Sequence, residues 1–353
     1  AMQKHANFAE FVGLTPSAQV SIARHGWRAK CLQRLIRLDL PVPQTVALPC
    51  ETVRAIAAGQ LPDTERLAAV FGPDFLVSVR SSPENPEWGG PGTVLNVGMN
   101  DAMHARLTDS HGHEAADALY LRFVQNYATH VARLDPDMFH DEPGPGALAS
   151  ALATYRAETD EEFPQSPARQ LGEVLRSMAR AWEGTTARLL RQAKGAPLEA
   201  VLGLLVQRMA LGIGPGLSGS GTMQFADGVT GARRITGRFR GQSQGRKASV
   251  ETLYLTRDPR GASLEEASPE VFAELQGYGL ACRAKLREEM QIEFAIEGGR
   301  VSVIDAVRVV RSARAAVKIA VALAQDGIIS REEALLRVEP RALSELLHYQ
   351  VDP

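Results

Sequence analysis

Three groups of residues have types and spacings that could do chemistry. The first is Ser78-Val79-Arg80-Ser81-Ser82, where an apolar run ends on a guanidinium. A buried positive charge is costly unless an anion accompanies it, and that anion is either a bound phosphate or a structural carboxylate. The second is the glycine-dense stretch Gly212-Ile213-Gly214-Pro215-Gly216-Leu217-Ser218-Gly219-Ser220-Gly221-Thr222. Small residues there could let backbone N–H groups wrap an anion, with the hydroxyls of Ser218, Ser220 and Thr222 added; the other reading is a flexible hairpin between strands. No lysine follows in the Walker pattern and no helix follows directly, so this is not a P-loop. The third is the pair Glu293 and Asp305, on either side of a Gly298-Gly299 turn. On adjacent strands of one hairpin they could hold a divalent ion that bridges phosphates, or else form a solvated face. Alternation puts Glu297 on the face of Glu293, with Phe294 and Ile296 on the other.

Other candidates read as structural. His25 before Gly26 is a lone loop histidine, and His111 and His113 sit with Asp109 and Glu114 in a polar turn that could hold a metal or simply face solvent. No GxSxG nucleophile elbow occurs. Cys31, Cys50 and Cys282 are far apart and odd in number, which argues against a disulfide framework or zinc site and for reduced buried thiols in a cytoplasmic setting. With 353 residues, 44% hydrophobic and 23% charged, the chain can bury a large core without staples. A net charge of -2 supplies no basic field for nucleic acid, and no apolar run is long enough for a bilayer, so neither partner is expected. The opening AMQKHANF has no apolar signal core, and Ala1 before Met2 reads as a cloning remnant.

These side chains need elements to position them. Thr15-Pro16-Ser17 reads as a helix start, with helical spacing from Arg28 to Arg37. Pro41 and Pro43 then force extended backbone before a buried strand at 45–48. Asp63-Thr64 caps a helix running to Phe71, and residues 75–80 read as a strand with Arg80 at its end. Helical periodicity dominates residues 101–195, notably 118–134 and 171–193, with a loop-rich connection carrying one short helix at 140–167. Strand patterns return at 202–209, 222–225, 234–239, 292–296 and 301–304. Helix 313–325 and a capping box at Ser330–Glu333 close the chain.

Taken in order, several segments resemble the N-terminal nucleotide-binding part of the pyruvate phosphate dikinase and phosphoenolpyruvate synthase family. They are LeuAspLeuProValPro at 38–43, LeuValSerValArgSer at 76–81, GlyThrValLeuAsnValGly at 92–98, PheProGln at 163–165 and GlnArgMet at 207–209. SerGlySerGlyThr at 218–222, GlnIleGluPheAlaIleGlu at 291–297 and AlaAlaValLysIleAla at 315–320 continue the series. The resemblance implies an α+β ATP-grasp fold: a first lobe at 1–100 and 196–210, a helical insertion at 101–195, a second lobe at 211–312, and a C-terminal helical linker at 313–353. It implies ATP and Mg2+ as ligands, and phosphorylation of a histidine on a separate protein or domain. Neither a phosphohistidine segment nor a pyruvate barrel follows Pro353, so the chain reads as one domain of a larger system or a stand-alone homologue.

Carried onto this chain, the resemblance makes Arg80 the phosphate-gripping arginine and puts Arg28 in place of the first-loop lysine, both catalytic. The nucleotide-binding positions expected are Arg28, Arg80, Gln207, Met209, Ser218, Gly219, Gly221, Thr222, Gln291 and Glu293; the metal ligands expected are Glu293, which matches a family glutamate, and Asp305, an acid in place of the family's neutral glutamine. The departures are specific. Trp27 and Ala29 replace glycines, the acid before Glu293 falls on Gln291 or is deleted, and a Gln-Thr-Arg becomes Asp305-Ala306-Val307, with Arg308 facing the wrong way. Glu84 stands in place of an arginine and Arg238 in place of a glutamate. Two readings follow: an ATP-binding phosphotransferase half, or a degenerate pseudoenzyme serving as a binding or regulatory module.

Overall fold

Short apolar runs bounded by proline and glycine gain most by burying both faces in a sheet. The computed structural model, which describes residues 10–242 and 252–338, gathers them into two five-stranded antiparallel sheets with helices packed around each. The α+β class expected from sequence is what the chain adopts. Each sheet lies in its own unit: residues 10–37 and 42–210 in the first, and 38–41, 211–242 and 252–338 in the second.

In the first unit the strand order is β1-β2-β5-β3-β4, formed by β1 (Val12–Gly13), β2 (Thr45–Leu48), β3 (Val77–Pro83), β4 (Val94–Val97) and β5 (Leu202–Arg208). β3 runs three residues beyond the expected end, so Arg80 stands in mid-strand opposite Leu205 rather than at a terminus. The expected helix at Thr15-Pro16-Ser17 is a turn. Gln33 explains it by donating its side-chain amide to the carbonyls of Thr15 (3.1 Å) and Ala18 (2.8 Å). Helix starts instead at α1 (Ile22–His25), capped by Ser21, and resumes after Gly26 as α2 (Trp27–Arg37). α3 (Cys50–Ala57) and α4 (Thr64–Val70) follow, the latter capped by Asp63 as expected.

Between β4 and β5 the chain runs through α5 (Asp101–His111), α6 (His113–Asn126), α7 (Ala147–Thr159), α8 (Pro167–Glu183) and α9 (Thr185–Ala193). α6 ends eight residues early, in a wide turn over Tyr127–Val131, and α7 is longer than the short helix expected in 140–167. Phe163 explains the packing: its ring meets Tyr120, Phe123, Tyr127 and Tyr155 at 5.2–6.0 Å between centroids. Gln170 on α8 is wholly buried. It accepts from Gly98 N (2.8 Å) and donates to the carbonyls of Met99 (2.8 Å) and Pro164 (2.7 Å), locking α8 to the end of β4.

The second unit has the order β10-β9-β6-β7-β8, from β6 (Gly219–Ala226), β7 (Arg233–Gly241), β8 (Thr252–Leu253), β9 (Met290–Glu297) and β10 (Arg300–Arg308). Its helices are α10 (Leu264–Ala267), α11 (Pro269–Leu286), α12 (Ala313–Gln325) and α13 (Arg331–Arg337). α12 and α13 bury Ala315, Ile319, Ala320, Leu323 and Ala334 together with Ile329 and Ala226 of β6. A charge network supports their approach. Glu288 meets Arg311 (2.8 Å), Arg308 (3.2 Å) and Arg337 (3.6 Å), while buried Glu289 accepts from Arg283 Nε at 2.5 Å. Burial works to raise the Glu288 carboxyl, but Arg311, by charge and hydrogen bond, leads the interactions that hold it below the usual carboxylate range. The residues at 1–9 and 339–353, with the sequence readings that fall on them, lie outside the described residues.

Candidate functional site

In the first unit the joint between α1 and α2 sets the position of Arg28. Gly26 has φ +86°, and a Cβ there would stand 1.8 Å from the Ser82 carbonyl oxygen; a Cβ on Gly203 would meet the His25 carbonyl at 2.3 Å. The joint therefore presses directly on β3 and β5, and only glycines allow it. Ala29 N donates to Ser82 Oγ (3.2 Å), and Arg28 Nη1 donates to the Ser81 carbonyl at 2.8 Å. Arg28 is thereby held beside β3, where the preceding residue of that strand is Arg80, and both are half-buried. The two predicted catalytic cations share one locality.

His25 is 2% exposed and accepts from Ser21 N at Nδ1 (3.2 Å), so it caps its own helix. Burial first, then the neighbouring Arg24, push its imidazole below the ordinary value and favour the neutral form. Gln207 is buried and donates to Thr45 Oγ1 at 3.2 Å, directly across the β2–β5 ladder. Met209 N donates to the Leu76 carbonyl (2.8 Å) just past the end of β5. His111 and His113 are not in a loop, because α5 and α6 run to either side of Gly112. Among the described residues no group of three or more His, Cys, Asp or Glu side chains gathers where it could hold a metal ion.

In the second unit the expected hairpin brings Glu293 and Asp305 directly opposite each other on β9 and β10. A bulge between Val303 and Asp305 sets that register, and Asp305 is 3% exposed. The same pairing puts Val307 beside Gln291, whose amide donates to Gln224 Oε1 at 2.7 Å, and sends Arg308 to the other face, where it reaches Glu288. Arg308 is thus turned away from the carboxylate pair, as alternation required. Two carboxylates suit Mg2+, which takes one or two from protein and fills its shell with water and phosphate oxygens.

The glycine-rich stretch takes a form that the spacing alone did not reveal. Glu297 accepts from both Leu211 N and Gly212 N. Gln242 holds Gly214 by two bonds, accepting from its N–H (3.0 Å) and donating to its carbonyl (2.8 Å). Ser218 Oγ accepts from Gly298 N (2.9 Å), and Gly299 N donates to the Leu217 carbonyl (2.8 Å). The loop is pinned to the β9–β10 turn, and a protein carboxylate already engages two of its amides. Gly219, Gly221 and Thr222 lie in β6 between β7 and β9, so their main-chain groups belong to the two ladders. The flexible-hairpin reading is replaced by a tethered loop. Glu297 and Gln242 escaped notice as its anchors because they lie 85 and 28 residues from the amides they hold.

Comparison with known proteins gives a consistent result. A pyruvate, phosphate dikinase of Rhizobium meliloti (strain 1021) is 30% identical over a 382-residue alignment that takes in 94% of this chain. The chain is a homologue of part of pyruvate, phosphate dikinase. Pyruvate, phosphate dikinase 2 of Oryza sativa subsp. japonica is 29% identical and the Clostridium symbiosum enzyme 28%, each over 79% of this chain. The chain spans 42% of the length of the first of these dikinases and about a third of the other two. No protein-family model matches it. Among the described residues no helix is long and apolar enough to cross a membrane.

Proposed function

We propose that this chain is an ATP-grasp-type domain that binds MgATP and serves as the nucleotide half of a phosphotransferase. The observation that carries the reading is the direct cross-strand pairing of Glu293 with Asp305, on a chain homologous to dikinases. Arg28 and Arg80, in the first unit, have planar forks that suit phosphate oxygens. Glu293 and Asp305 would hold Mg2+, which neutralises phosphate charge when bound. Gln207, Met209, Ser218, Gly219, Gly221, Thr222 and Gln291 are the remaining nucleotide positions in this proposal. Of these, Gly219 and Gly221 would act by leaving room, since their amides serve the sheet. The acceptor is a histidine on a separate protein or domain, which takes phosphate by in-line displacement. A reducing, cytoplasmic setting fits the three buried free cysteines.

A second reading, a degenerate pseudoenzyme used as a binding or regulatory module, is favoured by two observations. Val307 stands beside Gln291 where the resemblance expects an arginine, and Glu297 occupies loop amides that an anion could use. Substituting Arg80→Ala separates the readings. In the nucleotide-binding reading MgATP affinity falls at least tenfold by calorimetry; unchanged affinity removes Arg80 from the site.

A further inference from the structure

The polar face of the second unit's sheet carries an order that the assignment above does not exhaust. Asp305 on β10 pairs with Glu293 on β9, Glu293 pairs with Thr222 on β6, and Thr222 pairs with Arg238 on β7. Directly paired residues of antiparallel strands project to the same side, so these four form one row. In the next row on that face Ser220 pairs with Arg240. Exposure rises along the first row, from buried Asp305 through half-buried Glu293 and Thr222 to exposed Arg238. The opposite face holds Met223, Ile292, Phe294 and Phe239, all buried in the core. The polar face therefore runs from two carboxylates, across hydroxyls, to two guanidiniums.

We propose that Arg238, supported by Arg240 and the hydroxyls of Thr222 and Ser220, binds the phosphate chain of a magnesium-bound nucleoside polyphosphate whose metal sits at Glu293 and Asp305. The inference rests on the nucleotide reading and adds to it the group that orients the phosphates within this unit. A ligand with a cation at one end and anionic oxygens at the other matches the polarity of the row. Neighbouring strands are about 4.8 Å apart, so the Glu293 and Arg238 backbones are roughly 10 Å apart. The ion reaches in from one side and the long arginine from the other, which leaves a gap that linked phosphates can bridge. The resemblance places a glutamate at this position, so the sign of the charge is reversed in this chain. Arg238 instead supplies a positive charge to a face from which the Val307 position withdraws one.

The test is calorimetric titration of MgATP into the full chain and into Arg238→Ala, Arg238→Lys and Arg238→Glu, with Arg156→Ala as a charge control. Arg156 is exposed and paired with Glu162 in the first unit. Circular dichroism checks that each variant is folded, which the exposure of Arg238 favours. The expected result is a loss of at least tenfold in Arg238→Ala, a smaller loss in Arg238→Lys, the greatest loss in Arg238→Glu, and no change in Arg156→Ala. Undiminished MgATP binding by Arg238→Ala overturns the assignment while leaving the nucleotide site standing. An equal loss in Arg156→Ala also overturns it, because the effect would then be one of overall charge. Absence of MgATP binding in the unsubstituted chain overturns the nucleotide reading and the Arg238 assignment with it.

Discussion

Substituting Gly26→Ala tests whether the α1–α2 joint positions Arg28 by close approach to the sheet. Gly26 has φ +86° and ψ 168°, a conformation costing about 1–3 kcal/mol for a residue with a side chain. Its added Cβ would also stand 1.8 Å from the Ser82 carbonyl, and forcing an atom into packed surroundings costs a further ~1–3 kcal/mol. The sum is about 2–6 kcal/mol. Gly59 is the control, because it has φ +101° with nothing within 4 Å of an added Cβ, so Gly59→Ala incurs backbone strain alone. Thermal and urea unfolding followed by circular dichroism should show Gly26→Ala less stable than Gly59→Ala by at least about 1 kcal/mol. MgATP affinity should fall with it, because a shifted α2 loses the Arg28 bond to Ser81. Equal losses in the two variants, or a loss below about 0.5 kcal/mol in Gly26→Ala, would refute the close-approach argument.

Two further predictions concern stability. Gln170→Leu removes the partner of a buried N–H and two carbonyls, and should destabilise the first unit by about 3 kcal/mol in denaturant unfolding; a change under about 1 kcal/mol would mean other groups satisfy those atoms. The Glu288 carboxyl is held below its ordinary 4.5 in the folded chain, so the folded state binds that proton less readily than the unfolded one. Its stabilisation is therefore full above pH 4.5 and is lost as pH falls through the window below that value. Glu288→Gln should flatten the decline in stability between pH 5 and pH 3, and an unchanged slope would contradict the network's role.

What the sequence made legible follows from how local each signal is. Strands β2, β3, β5, β9 and β10 were visible because short apolar runs are bounded by proline, glycine or charge. The β9–β10 hairpin was visible because a Gly-Gly turn sets it, but the direct pairing of Glu293 with Asp305 was not, since it depends on the bulge between Val303 and Asp305. α11 was not, since Gly277 and Gly279 interrupt its pattern; yet a Cβ on Gly279 would collide with the Phe225 ring, so the residue that hid the helix is one its packing requires. The turn at Thr15–Ala18 carried a sound helix-start signal that lost to Gln33, a tertiary contact no local pattern encodes. In the candidate site the acids and arginines were legible by type, but the occupation of the loop amides by Glu297 and the position of Arg238 depend on pairings between distant strands. Register of that kind appears only once the sheet is assembled.

Binding of MgATP by this chain is tested by calorimetric titration with ATP in the presence and absence of Mg2+. Mg2+-dependent binding with a micromolar Kd, about -8 kcal/mol, is expected. Heats no greater than those of dilution under both conditions would contradict it.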